Sequence, residues 1–321
     1  MLTYILRRLL MMLPVVVGVV FIVFAILQLT PTDPIRTVLG DMATQEEVDM
    51  MREEMGLNDP FFTQFYNYVK NIVTKGDFGV SYINRKPVTS EIISRFPTTL
   101  SLALMSILLA AAIGIPSGII SATRQYSLFD NGVTLFSLIS LAMPSFWLGL
   151  MLIIIFSLNL RLLPASGFYG PQYWIMPVIT IGTGCAAGIM RTTRSSMLEV
   201  IRQDYIRTAR AKGQKESIVI RRHALGNAII PVITIMGLQF GRQLGGAVLV
   251  ETIFAIPGLG KLLVDATATK DIPVIQGGVL FMAIVFSFIN LFVDILYGFI
   301  DPRISTMYRM KKAKKVGAAN E

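Results

Sequence analysis

Long apolar runs that contain almost no charged side chain dominate this sequence and limit what it can fold into. A helix needs about 20 apolar residues to cross the hydrocarbon core of a bilayer, and backbone groups in lipid must hydrogen-bond within their own segment. Six runs reach or approach that length: 9–29, 98–121, 133–160, 173–190, 229–250 and 272–293, the last continuing to Ile300. The sequence therefore predicts an all-α integral membrane protein with six transmembrane helices.

The composition of the chain excludes several classes of protein. Only 15% of the 321 residues are charged, against about 25% in soluble domains. The chain has a net charge of +9, and in a membrane protein such an excess of basic residues usually lies in the cytoplasmic loops. We therefore expect a lipid bilayer around the chain and no nucleic acid partner. Cys185 is the single cysteine and His223 the single histidine, which excludes an internal disulfide and a Cys/His metal cluster.

The distribution of basic residues predicts the orientation of the spans. With the N-terminus inside, eighteen lysines and arginines fall on the inner side and three in the two short outer loops, so we expect both termini in the cytoplasm. The first apolar run has 21 residues and exceeds the core of a signal peptide, so we expect it to be retained. The predicted organisation is a first span at 1–30, an extracytoplasmic segment at 31–97, a five-helix core at 98–300 and a basic tail at 301–321.

The extracytoplasmic segment carries two helix-start patterns. Thr44 and Glu47 have the spacing of a capping box, and Gly56 suits the end of the helix that they begin. Asp59 and Pro60 predict the N-cap and the first residue of a second helix. A small helical cap of this kind would either dock an external partner or cover the ends of the spans, and both interpretations stay open.

A basic stretch between the fourth and fifth runs has a helical pattern of its own. Over 197–212, apolar and aromatic side chains recur at helical spacing at Leu198, Ile201, Tyr205 and Ala209. Gly213 is suited to end that helix, and a second helical run continues to Pro231. The charge alone would suit a positive-inside anchor, but a helical hairpin within 196–228 favours a docking site for a cytoplasmic partner.

The sequence contains no motif that would supply energy or catalysis. The phosphate-binding pattern Gly-x-x-x-x-Gly-Lys-Ser/Thr is absent, and the segment 257–261, Pro-Gly-Leu-Gly-Lys, lacks its spacing. The patterns His-Glu-x-x-His and Gly-x-Ser-x-Gly are absent as well. We therefore expect no catalytic residue, no metal and no cofactor bound by this chain. The first four spans also lack ionisable residues in their cores, which disfavours a proton relay.

The segment 204–213, Asp-Tyr-Ile-Arg-Thr-Ala-Arg-Ala-Lys-Gly, resembles the cytoplasmic coupling loop of bacterial ABC importer permeases of the dipeptide, oligopeptide and nickel branch. Further segments resemble that branch in order along the chain, at 30–34, 76–81, 250–254, 257–260, 273–276 and 301–304. Thr32 departs from the glycine that is usual in the first of these. Where the broad family has Glu-Ala-Ala, this chain has Arg207, Thr208 and Ala209.

This resemblance implies a type I ABC importer permease in the bacterial inner membrane, which imports peptides or, with the same machinery, nickel or a metal chelate. The implied partners are a second homologous permease subunit, two cytoplasmic ATPase subunits that use ATP and Mg²⁺, and an extracytoplasmic solute-binding protein. The implied contacts with the ATPases lie at Tyr205, Arg207, Thr208, Ala209, Arg210, Ala211, Lys212 and Gly213. Among them, Tyr205 and Ala209 would form an apolar knob, and the three basic residues would supply charge-assisted contacts.

Polar residues in the last two spans are candidates for the lining of a translocation pathway: Gln239, Arg242, Gln243, Asn290 and Asp294. Arg242 lies near the middle of its span, where an arginine costs about 2.5–3.5 kcal/mol and rarely faces lipid. It would line a polar pathway, or pair with an acid on another span or on the partner permease. Asn290 and Asp294 lie one turn apart and favour a polar contact between helices. The ionisable residues keep a self-sufficient secondary transporter or channel as the alternative.

Small residues and prolines predict how the spans pack and bend. Spacing of four residues, which lets helices approach closely, occurs at Gly184 and Gly188 and at Gly237, Gly241 and Gly245. Pro144 and Pro177 interrupt uncharged runs and predict kinks, either as hinges or as tolerated packing defects.

Overall fold

The computed structural model describes residues 2–29, 34–40 and 43–300, and this part of the chain contains fourteen α-helices. They are α1 (Leu2–Leu29), α2 (Pro34–Leu39), α3 (Gln45–Glu54), α4 (Phe61–Lys75), α5 (Val88–Thr123), α6 (Leu128–Ala142), α7 (Ser145–Leu152), α8 (Gln172–Ile201), α9 (Asp204–Ala211), α10 (Glu216–Ile218), α11 (Leu225–Gly246), α12 (Val248–Ile253), α13 (Leu259–Ala268) and α14 (Ile272–Ile300). Helices α7 and α10 continue as π-helices over Ile153–Asn159 and Val219–Ala224. The predicted all-α class is confirmed, whereas the tail at 301–321, the segment at 301–304 and most of the segment at 30–34 lie outside the described residues.

Five described helices are long and apolar enough to cross a membrane. They are Arg8–Leu27 within α1, Val88–Thr123, Gln172–Ile201, Glu216–Gly245 and Ile272–Val293. A sixth candidate is formed by Leu128–Ala142 and Ser145–Asn159, but the two halves are bent by 103°. The predicted third span at 133–160 is thus found as two helices that meet at a sharp bend.

Pro144 explains this bend. A proline has no backbone N–H and disfavours the α conformation in the residue before it. Met143 accordingly has φ −78° and ψ 124°, so α6 ends there and Pro144 becomes the N-cap of α7. The predicted kink is found at Pro144, whereas α8 runs through Pro177 without a break.

The second and fifth spans begin earlier than predicted because tertiary contacts extend their helices. Helix α5 starts ten residues before position 98, and its first turns bury Val88 and Ile92 against Leu259 and Val274. The fifth span is continuous with the second arm of the hairpin, since helix runs from Glu216 to the end of α11. This continuity joins the hairpin to the membrane bundle.

Helices α5 and α8 pack closely along most of their length and form the centre of the bundle. A Cβ placed on Gly118 of α5 would lie 2.6 Å from the Cβ of Thr193 on α8, so only glycine permits this approach. Close packing is confirmed for Gly237 and Gly241 on α11, whose faces contact α14; a Cβ on Gly237 would lie 2.3 Å from Val293 Cγ2.

The end of the bundle that carries α9 is called the hairpin end, and the opposite end, with α13, the loop end.

The segment between α1 and α5 has the predicted caps with one exception. Thr44 and Glu47 form a capping box, in which the Thr44 N–H donates to the Glu47 carboxylate at 2.9 Å. Helix α4 begins at Phe61, so Pro60 is its N-cap and the assignment of Asp59 to that position is wrong. The reason is that the carbonyl of Pro60 accepts the first hydrogen bonds of the helix.

Aromatic side chains hold α4 against the loop end of α1. The ring of Phe24 packs edge-to-face on Phe61 and Phe65, with centroids 5.2 and 5.7 Å apart. Such pairs add about 0.5–1.5 kcal/mol each beyond their buried area. The segment therefore does cover the end of a span, while a docking role for it stays a prediction.

Candidate functional site

The hairpin at 196–228 contains two separate helices on its first arm, so the single helix predicted over 197–212 is wrong. Met197 on α8 and Ile206 on α9 are both fully buried. Nine residues of continuous α-helix turn through about 900°, which would place these two side chains on opposite faces. The two-residue break between α8 and α9 lets both point into the protein.

An apolar cluster folds the hairpin back onto the bundle. Its buried members are Ala122, Met197, Ile206, Ala209, Val219, Ala224 and Ala228. Ala209 is 7% exposed, whereas Tyr205 is 44% exposed and its hydroxyl accepts a hydrogen bond from the Asn227 amide at 2.9 Å. The predicted exposed knob of Tyr205 and Ala209 is therefore not formed, because Ala209 packs inside the chain.

The turn after α9 is a Schellman motif closed by glycine. The N–H of Gln214 donates to the carbonyl of Ala209 at 3.4 Å, and the N–H of Gly213 donates to that of Arg210 at 2.9 Å. Gly213 has φ +75°, a left-handed conformation that glycine adopts without steric cost. The sequence-based assignment of the turn to Gly213 is confirmed.

Arg210 braces this turn. Its guanidinium donates to both carboxylate oxygens of Glu216, at 3.1 and 2.7 Å, and so ties the end of α9 to the start of α10. Glu216 in turn raises the pKa of the Arg210 guanidinium, which is ionised throughout the physiological range. The contact of Arg210 with a partner stays a prediction, and within the chain its guanidinium ties the two arms of the hairpin together.

The exposed side of α9 is polar and basic. The Arg207 side chain is 74% exposed, and its contact with Asp204 at 3.7 Å is a surface ion pair of little energetic weight. We call the exposed residues of this side the hairpin face: Tyr205, Arg207, Thr208, Ala211 and Lys212. Two cations, one aromatic ring and small side chains are thus available to a partner.

A buried ion pair beside the hairpin was missed by sequence reasoning. Asp130, at the start of α6, is 2% exposed and accepts hydrogen bonds from Arg194 of α8 at 2.8 and 2.9 Å. Ser121 of α5 and the N–H of Tyr126 also donate to this carboxylate. The pair fixes α5, α6 and α8 together one turn before Met197. An acid placed just before an uncharged run is the only signal that the sequence offered.

A second buried carboxylate lies at the loop end. Glu251 of α12 is fully buried; its carboxylate accepts a hydrogen bond from the Thr99 hydroxyl at 2.6 Å and one from the N–H of Lys261 at 3.0 Å. Burial raises the pKa of this carboxyl, and the hydrogen bonds act in the opposite direction. The arrangement brings together the segments 250–254 and 257–260, which the sequence had marked only by resemblance.

The glycines of the 257–260 segment make room for that carboxylate. A Cβ placed on Gly258 would lie 2.2 Å from the carboxyl carbon of Glu251, and one on Gly260 would lie 2.9 Å from a carboxylate oxygen. A second pair of segments, 76–81 and 273–276, meets nearby: Ser81 and the adjacent N–H of Tyr82 donate to the buried carboxylate of Asp271, two residues before 273–276. These segments are therefore contact points between the loops and the helix ends.

Replacing Gly258 by alanine is expected to destabilise the loop end by about 1–3 kcal/mol, because the added methyl displaces a buried carboxylate from its donors. Thermal unfolding of the purified chain in detergent would measure the loss. Gly132→Ala is the matched control, since a Cβ there meets no atom within 4 Å. Equal unfolding temperatures for the two variants would contradict the assignment.

The structure separates the predicted pathway residues into two groups. Gln243 is buried and its amide nitrogen donates to the Cys185 sulfur at 2.8 Å, while Gln239 and Arg242 lie on the same part of α11. Asn290 faces α1 instead and lines a cavity of about 280 Å³ there. Asp294 lies in the same helix as Asn290, but its side chain is outside the described residues. The described side chains of these candidates therefore lie in two places, and a role for any of them in a translocation pathway stays a prediction.

A bundle of helices long and apolar enough to cross a membrane, with a basic helical hairpin at one end, is the architecture of an integral membrane protein. Residues 114–306 match the family described as the inner membrane component of binding-protein-dependent transport systems, and residues 1–103 match the N-terminal part of that membrane component. The chain belongs to this family, the permease subunits of bacterial ABC importers. Membership implies an ATPase and a solute-binding protein as partners and decides against the self-sufficient secondary transporter.

Curated relatives match this chain over almost its whole length. A dipeptide transport system permease of Alkalihalophilus pseudofirmus is 42% identical, and an oligopeptide transport system permease of Bacillus subtilis is 44% identical. A glutathione transport system permease of Escherichia coli strain K12 is 42% identical. Each comparison covers 95% of this chain and 99% of the relative.

Solved structures of two ABC transporters share the fold. The MetNI methionine ABC transporter in an inward-facing conformation is 17% identical, with a TM-score of 0.53 over 65% of this chain and 96% of that one. An amino acid ABC transporter with histidines is 16% identical, with a TM-score of 0.50 over 67% of this chain and 94% of that one. The predicted type I importer permease fold is confirmed.

Proposed function

We propose that this chain is one of two permease subunits of an ATP-driven peptide importer. The observation that carries the proposal is the identity of 42–44% with permeases for dipeptides, oligopeptides and glutathione over 95% of the chain. A solute-binding protein delivers the peptide to the loop end, and the chain passes it between itself and a second, homologous permease. The α11 surface with Gln239 and Arg242 is the part of this chain that lines the passage.

The hairpin face is the docking site for one of two cytoplasmic ATPases. It offers a tyrosine ring and two cations, and charge-assisted hydrogen bonds from arginine are about twice as strong as neutral ones. The remaining residues of the predicted loop support this face from within: Ala209 through packing, Arg210 through its ion pair with Glu216, and Gly213 through the turn.

Movement of the hairpin is passed to the membrane by rigid contacts. The second arm is helical from Glu216 into α11, and the apolar cluster attaches the hairpin to Ala122 of α5 and Met197 of α8. Closure of the ATPases on ATP and Mg²⁺, which bind to those partners, therefore displaces three spans together. That displacement converts an inward-open passage into an outward-open one.

The orientation follows from the same assignment. The hairpin end lies in the cytoplasm with both termini, and α3, α4 and α13 lie on the outer side. The excess of basic residues on the hairpin side supports this orientation under the positive-inside rule.

Uptake assays in cells with and without the chain test the proposal. We expect uptake of a labelled dipeptide or a longer peptide to require both the chain and ATP, and nickel uptake to be unchanged. Loss of nickel uptake alone would move the substrate to a metal ion or chelate. Peptide uptake that survives ATP depletion and collapses with the proton gradient would overturn the proposal.

A further inference from the structure

Arg242 is the one residue in its turn of α11 that points out of the bundle. It is exposed, whereas its neighbours Gly241, Gln243 and Leu244 are buried. Within the described residues its guanidinium makes no hydrogen bond or ion pair. Glu251, the nearest acid along the chain, is engaged with Thr99 and Lys261. No side chain in the described part of the chain therefore neutralises this permanent cation.

This cation lies at the level of the middle of the membrane. The adjacent Gln243 hydrogen-bonds Cys185, which lies thirteen residues into α8 from Gln172. Cys185 is therefore near the midpoint of α8, whose 30 residues extend about 45 Å at about 1.5 Å per residue, beyond both sides of a hydrocarbon core of about 30 Å. A charged side chain at that depth is found facing a polar cavity or another charge, because exposure to lipid is too costly.

The surroundings of Arg242 are open and contain two amide side chains, although Leu238, one turn before it on the same face, is exposed as well. A Cβ placed on Gly245, one turn further along α11, or on Gly184, beside Cys185, would meet no atom within 4 Å. The amide of Gln239, one turn before Arg242, lies across Gly188. The carboxamide oxygen of Gln243 is buried and has no hydrogen-bond partner in the described part of the chain, so an acceptor is left unsatisfied there.

We propose that Arg242 binds the C-terminal carboxylate of the peptide as it passes the middle of the membrane. This inference rests on the proposed peptide import. A peptide with free ends carries one ammonium and one carboxylate group, and an unneutralised guanidinium attracts the carboxylate and repels the ammonium. The planar fork of arginine also matches a carboxylate in two parallel hydrogen bonds, which gives selectivity for that group. Gln239 supplies a further amide donor on the same face.

A reconstituted complex tests this assignment. The chain would be assembled with its second permease, ATPases and binding protein in proteoliposomes, and uptake of a tripeptide would be compared with uptake of its C-terminal amide. The variants are Arg242→Gln and Arg242→Lys, with Arg161→Gln as the control, since Arg161 is an exposed arginine outside the spans. The same binding protein is used with every variant. Any preference that it has for the free acid or the amide therefore cancels when the uptake ratios of the variants are compared.

The ratio of free-acid to amide uptake is the decisive quantity. We expect Arg242→Gln to lower this ratio about tenfold relative to the unaltered complex, as for loss of a hydrogen bond to a charged group. Arg242→Lys should lower it less, and Arg161→Gln should leave it unchanged. An equal loss of both substrates, or no change of the ratio in either variant, would overturn the role of Arg242 while peptide import stands. Failure of the unaltered complex to import either peptide would instead refute the proposed function, and this inference with it.

Discussion

Replacing Ala209 by tryptophan and Gly213 by valine in the same chain is expected to lower ATP-driven uptake at least tenfold while the protein still inserts in the membrane. Ala209 is 7% exposed inside the cluster that holds the hairpin, and overpacking such a site costs about 1–3 kcal/mol. Gly213 has φ +75°, which costs a β-branched residue about 1–2 kcal/mol. Because about 1.4 kcal/mol corresponds to a factor of ten, we expect coupling to fall at least tenfold.

The measurement is peptide uptake together with ATPase activity in the reconstituted complex. The double variant should lose uptake and should no longer stimulate ATP hydrolysis when loaded binding protein is added. Gly132→Val is the control, because Gly132 lies on α6 outside the hairpin and a Cβ there meets no atom within 4 Å. Normal uptake by the double variant would contradict the docking role of the hairpin.

Replacing Asp130 by alanine is expected to lower the free energy of unfolding by about 3 kcal/mol, because it leaves Arg194 partly buried without its partner. The Asp130 side chain is 2% exposed and that of Arg194 is 30% exposed, so the carboxylate is buried and the guanidinium is only partly buried. The same substitution also removes the acceptor for Ser121 and Tyr126. Thermal unfolding in detergent would measure the change.

The ion pair between Arg210 and Glu216 provides the matched comparison. It has the same two-bond geometry, but its side chains are 40% and 59% exposed. Glu216→Ala should therefore cost less than about 1 kcal/mol. If both variants lost the same free energy of unfolding, burial would not be the reason that the Asp130–Arg194 pair stabilises the protein.

Span length and hairpin position could be read from the sequence because both are local properties. The thickness of the hydrocarbon core fixes how many apolar residues a span needs, whatever the neighbouring helices do. Gly213 likewise marks the turn because only its own φ decides whether a side chain is tolerated there. The kink at Pro144 follows from the same kind of local argument.

Which side chains face inward could not be read in the same way. Helical spacing put Tyr205 and Ala209 on one exposed face, but the break before α9 turned Ala209 into the cluster. Arg194 lies 64 residues from Asp130 and Thr99 lies 152 residues from Glu251 along the chain, on helices whose rotation is decided by packing. No pattern within one segment reports such contacts.

The sequence by itself determined the membrane class, the approximate spans, the basic hairpin and, through segments spread over the chain, the importer family. Each of these depends on composition or on short runs of residues. The tertiary structure alone decided that the bend at Pro144 reaches 103°, that Arg210 braces the hairpin, and that buried carboxylates hold each end of the bundle. The physical reason is that these contacts join residues that are distant in sequence. Burial and hydrogen bonding at such contacts contribute to stability only after the helices have packed together.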